Sequence, residues 1–122
     1  MSSLSRISVE DISTKDFLIT EDKKIIDAIK VLNKNKKIVY VVSKGNFKLC
    51  GSITDGDIRR SLLSGFDVKA SVCEAMQANP KFLDKVTPDK ECIDYINKHK
   101  VSSLPILDNK GRLVELVFKI NY

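Results

Sequence analysis

The sequence predicts an α/β (α+β) fold of two tandem, pseudo-two-fold units, each a small sheet with two helices. Helix-like and strand-like segments alternate along the 122 residues, and hydrophobic residues make up 43% of them, as in a globular protein. The motif T-x-D-K-x-x-I-D-x-I begins at Thr20 and again at Thr87, 67 residues later. This period exceeds the roughly 20–50 residues of a solenoid repeat. Each unit is too small to bury its own sheet face, so the two small sheets are expected to face each other.

The first unit is predicted to contain a lead-in segment, a helix and a strand hairpin. Residues 1–16 are polar and weakly patterned, which is typical of a lead-in. Apolar residues at helical spacing predict an amphipathic helix over 21–33, with Thr20 as its N-cap. The β-branched run KIVYVVS predicts a strand buried on both faces, and FKLCGSI predicts its hairpin partner. A helix over 56–63 follows, and Gly65 is its expected stop because glycine readily takes positive φ.

The second unit repeats this order of elements. ASVCEAMQ predicts a short helix and KFLD a short extended piece. Thr87 and Pro88 are expected to cap and open the next helix, and SSLPILD and RLVELVF predict a second hairpin. The expected boundaries are residues 1–66 for the lead-in and first unit and 67–122 for the second unit. No final helix follows the last strand, so the second unit is expected to be incomplete at its C-terminus.

The net charge and the hydropathy of the chain indicate which partners and which compartment to expect. The 21 Lys and Arg exceed the 16 acids, which gives a net charge of +5. We interpret the lysines at Lys34, Lys36 and Lys37 as a solvated helix end and expect no nucleic-acid partner, because no aromatic stacking platform accompanies them. No apolar run approaches the roughly 18–20 residues of a membrane span, and the N-terminus lacks the apolar centre of a signal peptide. We therefore expect a cytoplasmic protein with no membrane partner.

The residue types that catalysis or metal binding requires are sparse. Three cysteines without a CxxC pair argue against a thiolate zinc site and a disulfide scaffold, and Cys50 and Cys92 are expected to pack in the core. His99 is expected at the surface, near a helix C-terminus. No Ser–His–Asp set and no P-loop is present. We expect a non-catalytic chain with no metal site.

The stretch GSITDGD, from Gly51 to Asp57, allows two interpretations. Thr54 and Asp57 have the spacing of a capping box, which by itself explains why a helix starts here, and Gly51 suits close backbone packing at a strand end. A helix N-terminus also offers free N–H groups and partial positive charge to a phosphate. The Thr54 hydroxyl can donate to that phosphate, and the Asp57 carboxylate can accept from a ribose diol. Asp55 and Asp57 form, as a lesser alternative, a carboxylate pair for Mg²⁺.

The chain resembles a CBS-domain pair, or Bateman module, over residues 12–118. The resemblance rests on G-h-x-T-x-x-D at Gly51–Asp57, on VCEAMQANP as a linker opening the second unit, and on SLPILDNKGRLV as the second hairpin. It implies a regulatory module that binds a purine nucleotide, of AMP or ATP type, in the cleft between the units. It also implies a homodimer formed through the CBS helices. No other cofactor is implied.

The resemblance also implies which residues of the first unit would bind the nucleotide. Arg59 and Arg60 could add bonds to phosphate, and Gly51 would let the ligand or the facing unit approach. The adenine slot is expected at the beginning of the IVYVV strand, together with the two residues Ile19 and Thr20. The full set is Thr54, Asp57, Gly51, Asp55, Arg59, Arg60, Ile38, Tyr40, Ile19 and Thr20. In the second unit Glu115, Phe118 and Asn121 stand in place of Gly51, Thr54 and Asp57, so its site is expected to be absent or degenerate.

The longer string TDGDIRRSLLSG is similar to CBS pairs fused to sugar-nucleotide enzymes. One group precedes a nucleotidyltransferase that activates sugar 1-phosphates, and another follows a sugar-phosphate isomerase. A first unit that starts soon after a methionine favours the first group, with the module controlling an attached nucleotidyltransferase domain and FKINY leading into it. Three alternatives remain open: a ligand-free dimerisation or interaction module, the regulatory part of an isomerase, and a small enzyme acting on a sugar phosphate.

Overall fold

The computed structural model describes residues 2–121, without the side chains of residues 2, 3, 12 and 121. It contains two four-stranded sheets and three α-helices, which confirms the predicted mixed fold. The strands are β1 (Ser2–Ser8), β2 (Leu18–Thr20), β3 (Val39–Val42), β4 (Leu49–Ile53), β5 (Gln77–Ala78), β6 (Leu83–Asp84), β7 (Ser103–Leu107) and β8 (Leu113–Asn121). The helices are α1 (Ile25–Asn35), α2 (Asp55–Leu63) and α3 (Asp89–His99), and short 3-10 helices span Ile12–Phe17 and Val72–Glu74.

The chain folds into two compact units. The central unit comprises Lys15–Pro80, and the flanking unit combines the chain up to Thr14 with the chain from Lys81 onward. These limits differ from the sequence boundary expected between residues 66 and 67. Two edge strands cause the difference: β5 pairs with β4 of the central unit, and β1 pairs with β8 of the flanking unit.

The two sheets share one topology, as the repeated motif predicted. Their strand orders are β2-β3-β4-β5 and β6-β7-β8-β1. In each sheet a parallel pair is followed by an antiparallel hairpin and then by an antiparallel edge strand. The register of each hairpin also shifts at corresponding points, between Val41 and Val42 and between Ile106 and Leu107. The sheets therefore match strand for strand.

Helix α1 packs its apolar face onto β3 and β4 in the central unit. Ile25, Ala28 and Leu32 are buried together with Val39 and Val41. All four residues of β3 are buried, as the continuous apolar run predicted. Burying one such side chain contributes roughly 1.5–3 kcal/mol, so this cluster fixes the helix on the sheet.

Helix α1 starts later than predicted, at Ile25 rather than at residue 21, and Thr20 does not cap it. The Thr20 hydroxyl hydrogen-bonds to Asp22 instead. The amides of Ile25 and Ile26 donate to the carbonyls of Ala70 and Val68, both at 2.8 Å. The chain after α2 therefore satisfies the free donors at the start of α1, a tertiary contact that no local pattern encodes.

The flanking unit is built around the long β1–β8 pair. The lead-in, whose sequence is only weakly patterned, forms a seven-residue strand in register with β8 from Ser2↔Asn121 to Ser8↔Glu115. The polar sequence of this segment shows no strand pattern. The strand forms because β8 supplies the partners for its backbone hydrogen bonds. Gly65, in the central unit, takes the expected positive φ of 100° after α2.

Helix α3 covers the sheet of the flanking unit, and Cys92 and Ile96 are buried beneath it, as expected. Thr87 was predicted to cap this helix and does not. Its hydroxyl donates to the Asp84 carboxylate at 3.0 Å, and Pro88 takes the N-cap position with extended backbone angles. The proline side chain has no oxygen to accept from the following amides, so the helix begins without a side-chain cap.

Candidate functional site

The candidate site begins where β4 ends and α2 starts. Thr54 is the N-cap residue, with extended angles of φ −116° and ψ 173°, and Asp57 is the third residue of the helix. The Asp57 carboxylate accepts from the Thr54 backbone amide at 2.9 Å, which is one half of a capping box. The sequence interpretation of this motif as a helix start is therefore confirmed.

The Asp57 side chain is buried and fully engaged, with the residue only 4% exposed. Its Oδ2 accepts from the Thr54 amide and, at 3.1 Å, from the Thr54 hydroxyl. Its Oδ1 accepts from Arg60 Nη2 at 2.5 Å and from Gln77 Nε2 at 3.0 Å. The acceptor that the sequence assigned to a ribose diol is thus already bound by the protein.

The surroundings of Asp57 keep it ionised at neutral pH. Burial raises the pKa of Asp57, but hydrogen bonds from Gln77, the Thr54 amide, Arg60 and the Thr54 hydroxyl together lower it by more. The net pKa lies below the ordinary value for an aspartate. A negative charge therefore remains at the first turn of α2, where the helix dipole favours it.

This lowered pKa predicts a loss of stability in acid. Because the folded-state pKa is depressed, the stabilisation from Asp57 is complete above the unfolded value of about 3.9 and is lost as pH falls through the folded value. We expect the free energy of unfolding of the wild type to exceed that of Asp57→Asn at pH 7, with the difference shrinking below pH 4. Urea unfolding of both proteins between pH 7 and pH 2.5 measures this. A difference that stays constant with pH would contradict it.

Gly51 makes room for the protein's own chain. A Cβ at this position would lie 2.6 Å from the Met76 sulfur and 2.8 Å from the Gln77 carbonyl oxygen. Gly51 pairs with Ala78 in the β4–β5 ladder. Of the two roles expected from the sequence, close backbone packing is the one that these contacts support. The tight approach places the Gln77 backbone against β4, from where its side chain reaches Asp57.

The three other candidates on α2 are all exposed. Asp55 and Arg59 lie at the surface of the helix. The Arg60 side chain is 65% exposed although it holds the ion pair with Asp57. Both guanidinium groups are thus accessible to an anion, but only Arg60 is tied to the candidate site.

Three of the four residues expected to form the adenine slot lie on β2 and β3, but not all on one face. Leu18 pairs with Tyr40 and Ile19 pairs with Val41. Because side chains alternate along a strand, Thr20 and Tyr40 share one face and Ile19 lies on the other. Ile19 packs against the core under α1. The structure therefore does not bring Ile19 together with Tyr40.

Ile38 stands just before β3 and is half-buried. Its backbone is fixed by Asn35, which accepts from the Ile38 amide at 3.2 Å and donates to the Ile38 carbonyl at 3.0 Å. Tyr40 is 2% exposed, so its ring is part of the packed sheet. A ligand ring at this end of β3 would contact Ile38 more readily than Tyr40.

A surface depression of about 200 Å³ opens beside Asp57 within the central unit. Its walls come from α2 and from the segment that leads into β5. The lining residues are Asp57, Arg60, Ser61, Ser64, Phe66, Glu74, Ala75, Met76 and Gln77. Sequence reasoning treated this segment only as a linker and missed Gln77. The available sequence signal for this contact was Gly51, because a glycine in a strand indicates that another stretch of backbone lies close against it.

Two stretches of the chain, residues 9–64 and 70–117, each match the family model described as CBS domain. The chain belongs to the CBS domain family. It is a CBS-domain pair, a regulatory type of module, and the candidate site lies in the first CBS repeat.

Known proteins are similar to this chain in sequence or in fold. A CBS domain-containing protein of Dictyostelium discoideum is 30% identical over 126 residues, covering 92% of this chain and 86% of that protein. Arabinose 5-phosphate isomerase KdsD of Francisella tularensis is 29% identical over 94 residues, covering 70% of this chain and 29% of the isomerase. The structure of CBSX2 in complex with AMP has a TM-score of 0.73 at 19% identity and covers 90% of this chain and 83% of that one.

The second CBS repeat carries an ion pair where the first has its glycine. Glu115 pairs with Ser8 in the β8–β1 ladder, as Gly51 pairs with Ala78 in the β4–β5 ladder. Two residues before Ser8, the Arg6 guanidinium donates to Glu115 Oε1 at 2.9 Å. Arg6 also donates to the Thr87 carbonyl at 2.8 Å and to Asp89 at 3.0 Å.

This substitution bears on the predicted loss of the second site. Phe118, in place of Thr54, is 8% exposed and packed in the sheet. The side chain of Asn121, in place of Asp57, lies outside the described residues. The absence of a second nucleotide site therefore stays a prediction. The ion pair between Glu115 and Arg6 supports it.

The Arg6 network predicts a measurable stabilisation of the flanking unit. Arg6→Met removes three charge-assisted or carbonyl hydrogen bonds from a side chain that is 21% exposed. We expect the free energy of unfolding to fall by about 1–2 kcal/mol in urea titrations. Arg112→Met is the matched control, because its ion pair with Asp108 joins residues of one tight turn and Arg112 is 48% exposed. An equal loss in both variants would contradict the prediction.

The cysteines and the histidine form no reactive cluster in the part of the chain that the structure describes. Cys92 is buried, Cys50 is half-buried and packs against the core of the central unit, and Cys73 is exposed. Burial raises the pKa of the Cys50 and Cys92 thiols. His99 is half-buried at the end of α3, with its ring 4.2 Å from that of Tyr95.

Among residues 2–121, no group of three or more histidine, cysteine or acidic side chains is placed to hold a metal ion. No helix there is both long and apolar enough to cross a membrane.

Proposed function

We propose that this CBS pair senses an adenine nucleotide of AMP or ATP type, bound at the start of α2 in the first repeat. The observation that carries the proposal is the placement of Thr54 and the ionised Asp57 on the N-terminus of a nine-residue helix. Free N–H groups there suit a phosphate, and a carboxylate suits a ribose diol. The similar fold of CBSX2, which was solved with AMP, supports the ligand class.

In this proposal Arg59 and Arg60 supply cations to the phosphate, with Asp55 exposed beside them. Ile38, just before β3, provides the apolar contact for the base, with Tyr40 packed behind it in the sheet and Thr20 at the end of the neighbouring strand β2. Ile19 supports that face from the opposite side of the sheet. No reaction is performed at the site. Binding acts by favouring one of two states of the module, which requires a difference in affinity between them.

The module is proposed to control an attached catalytic domain. A sugar-1-phosphate nucleotidyltransferase is the domain that the sequence favoured. The similarity to KdsD supports a second candidate, a sugar-phosphate isomerase, and this chain spans 29% of that enzyme's length. Assays of the intact natural protein separate the two: isomerisation of arabinose 5-phosphate supports the isomerase, and pyrophosphate release from a sugar 1-phosphate and a nucleoside triphosphate supports the transferase.

A cytoplasmic homodimer formed through the CBS helices is part of the same proposal. The alternative is a ligand-free interaction module that only holds subunits together. Sedimentation velocity of wild type and Asp57→Ala distinguishes them when combined with nucleotide titration. If the module is a sensor, Asp57→Ala still forms the dimer but no longer binds the nucleotide. If it is only an interaction module, nucleotides have no effect on wild type or variant.

Thermal unfolding with a panel of nucleotides tests the sensor directly. A ligand that binds only the native state stabilises it by about 2.7 kcal/mol at one hundred times its Kd. We expect AMP, ADP or ATP to raise the Tm of the wild type, while 2′,3′-dideoxy analogues raise it less. No shift with any nucleotide at millimolar concentration would refute the proposal.

A further inference from the structure

The carboxylate of Asp57 has no spare acceptor position. A carboxylate accepts about four hydrogen bonds, and four donors surround this one. Two come from Thr54 and reach Oδ2, and the other two, from Arg60 and Gln77, converge on Oδ1. A ligand hydroxyl can therefore bind Asp57 only if one of these donors leaves.

The four donors differ in how easily they can leave. The Thr54 amide and hydroxyl belong to the helix cap, so their departure would unwind the start of α2. Arg60 brings the charge that balances the buried carboxylate, and its 2.5 Å bond is charge-assisted. Gln77 is neutral and exposed, and it bonds at 3.0 Å from a strand of two residues. Exchanging its neutral amide for a neutral hydroxyl leaves the charge balance of the site intact.

We propose that the Gln77 carboxamide is a built-in competitor that holds the Asp57 Oδ1 position until a ligand with a vicinal diol displaces it. This inference rests on the proposed nucleotide site and adds what sets its affinity and selectivity. Displacement removes the side-chain tie between α2 and β5. Strand β5 is then held to β4 only by the Gly51↔Ala78 and Ser52↔Gln77 pairs. Ligand binding at α2 is in this way transmitted to the segment through which the chain leaves the central unit.

The test pairs a protein variant with a ligand variant. Gln77→Met keeps the length and bulk of the side chain and removes its donor. Isothermal titration calorimetry with AMP and with 2′,3′-dideoxy-AMP gives Kd for both ligands on wild type and variant. We expect Gln77→Met to bind AMP about fivefold more tightly, the worth of one ordinary hydrogen bond, and to bind the dideoxy compound with unchanged affinity.

A second Gln77 variant and a pair of arginine variants serve as controls. Gln77→Asn, whose amide is one methylene too short to reach Asp57, is expected to behave like Gln77→Met. Arg60→Ala is compared with Arg59→Ala on the same helix, using adenosine so that phosphate plays no part. If the ligand hydroxyl takes the position of Gln77, the position freed by Arg60→Ala is a different one, and adenosine binds Arg60→Ala no more tightly than Arg59→Ala. Tighter binding of adenosine by Arg60→Ala alone would mean that Arg60 is the donor that leaves, and would overturn the competitor role of Gln77.

The possible outcomes separate this inference from the function on which it rests. AMP binding that is equal in wild type and Gln77→Met, or tightening that is equal for both ligands, overturns the competitor and leaves the nucleotide site standing. Binding of AMP by Gln77→Met alone supports the competitor strongly. Absence of binding in the wild type and in every variant refutes both.

Discussion

Replacing Asp57 with alanine is expected to lower the free energy of unfolding by about 3 kcal/mol and to abolish the rise in Tm caused by AMP. The loss of stability follows from removing the acceptor of four hydrogen bonds at the start of α2. A helix cap contributes about 1 kcal/mol, and hydrogen bonds to a charged group contribute about 1.5–3 kcal/mol. Urea unfolding and thermal shift measure the two effects.

Two controls separate the buried contacts of Asp57 from its charge. Asp55→Ala removes the same charge from the same turn, but Asp55 is exposed, so we expect a change below about 0.5 kcal/mol. Asp57→Asn keeps the shape and an acceptor for the Thr54 amide, and should retain more stability than Asp57→Ala. A stable Asp57→Ala protein that still responds to AMP would show that neither the cap nor the site depends on this carboxylate.

Replacing Gly51 with alanine is expected to cost about 3 kcal/mol of stability. The added Cβ would meet the Met76 sulfur at 2.6 Å and the Gln77 carbonyl oxygen at 2.8 Å. The thioether can rotate away, but the carbonyl belongs to the backbone of β5, so the strand itself must move. Overpacking of this kind costs about 1–3 kcal/mol, with backbone displacement at the upper end. Differential scanning calorimetry of the variant measures the loss.

Gly45→Ala is the matched control for Gly51, because nothing lies within 4 Å of a Cβ at Gly45. We expect it to leave the Tm within about one degree of the wild type or to raise it slightly. Combining Gly51→Ala with Met76→Ala should restore only part of the loss, since the Gln77 carbonyl remains in place. Full recovery in the double variant would mean that the sulfur alone makes the contact tight.

Elements that follow from local pattern were predictable from the sequence. The buried strand β3, its antiparallel partner β4 and the start of α2 at Thr54 each depend on residues within one short window. The repeated T-x-D-K motif likewise predicted two sheets of the same topology. The Thr54–Asp57 cap was visible because its spacing is fixed by helix geometry.

Elements that depend on distant chain segments were not predictable. The start of α1 is set by the carbonyls of Ala70 and Val68, some 40 residues away along the chain. Strand β1 has a polar sequence and forms because β8 pairs with it. The engagement of Asp57 by Gln77 required the fold, because 20 residues separate the two.

The edge strands β1 and β5 have a consequence for cutting the molecule into pieces. The limits of the sequence repeats and the limits of the compact units differ by one strand. A peptide of residues 9–64, cut at the limits of the first repeat, leaves the outer side of β4 bare, and such a ladder invites pairing with other chains. A peptide of residues 15–80 retains β5, the short edge strand that covers the outer side of β4. Fragments cut at the limits of the compact units should therefore remain monodisperse, whereas fragments cut at the limits of the repeats should aggregate.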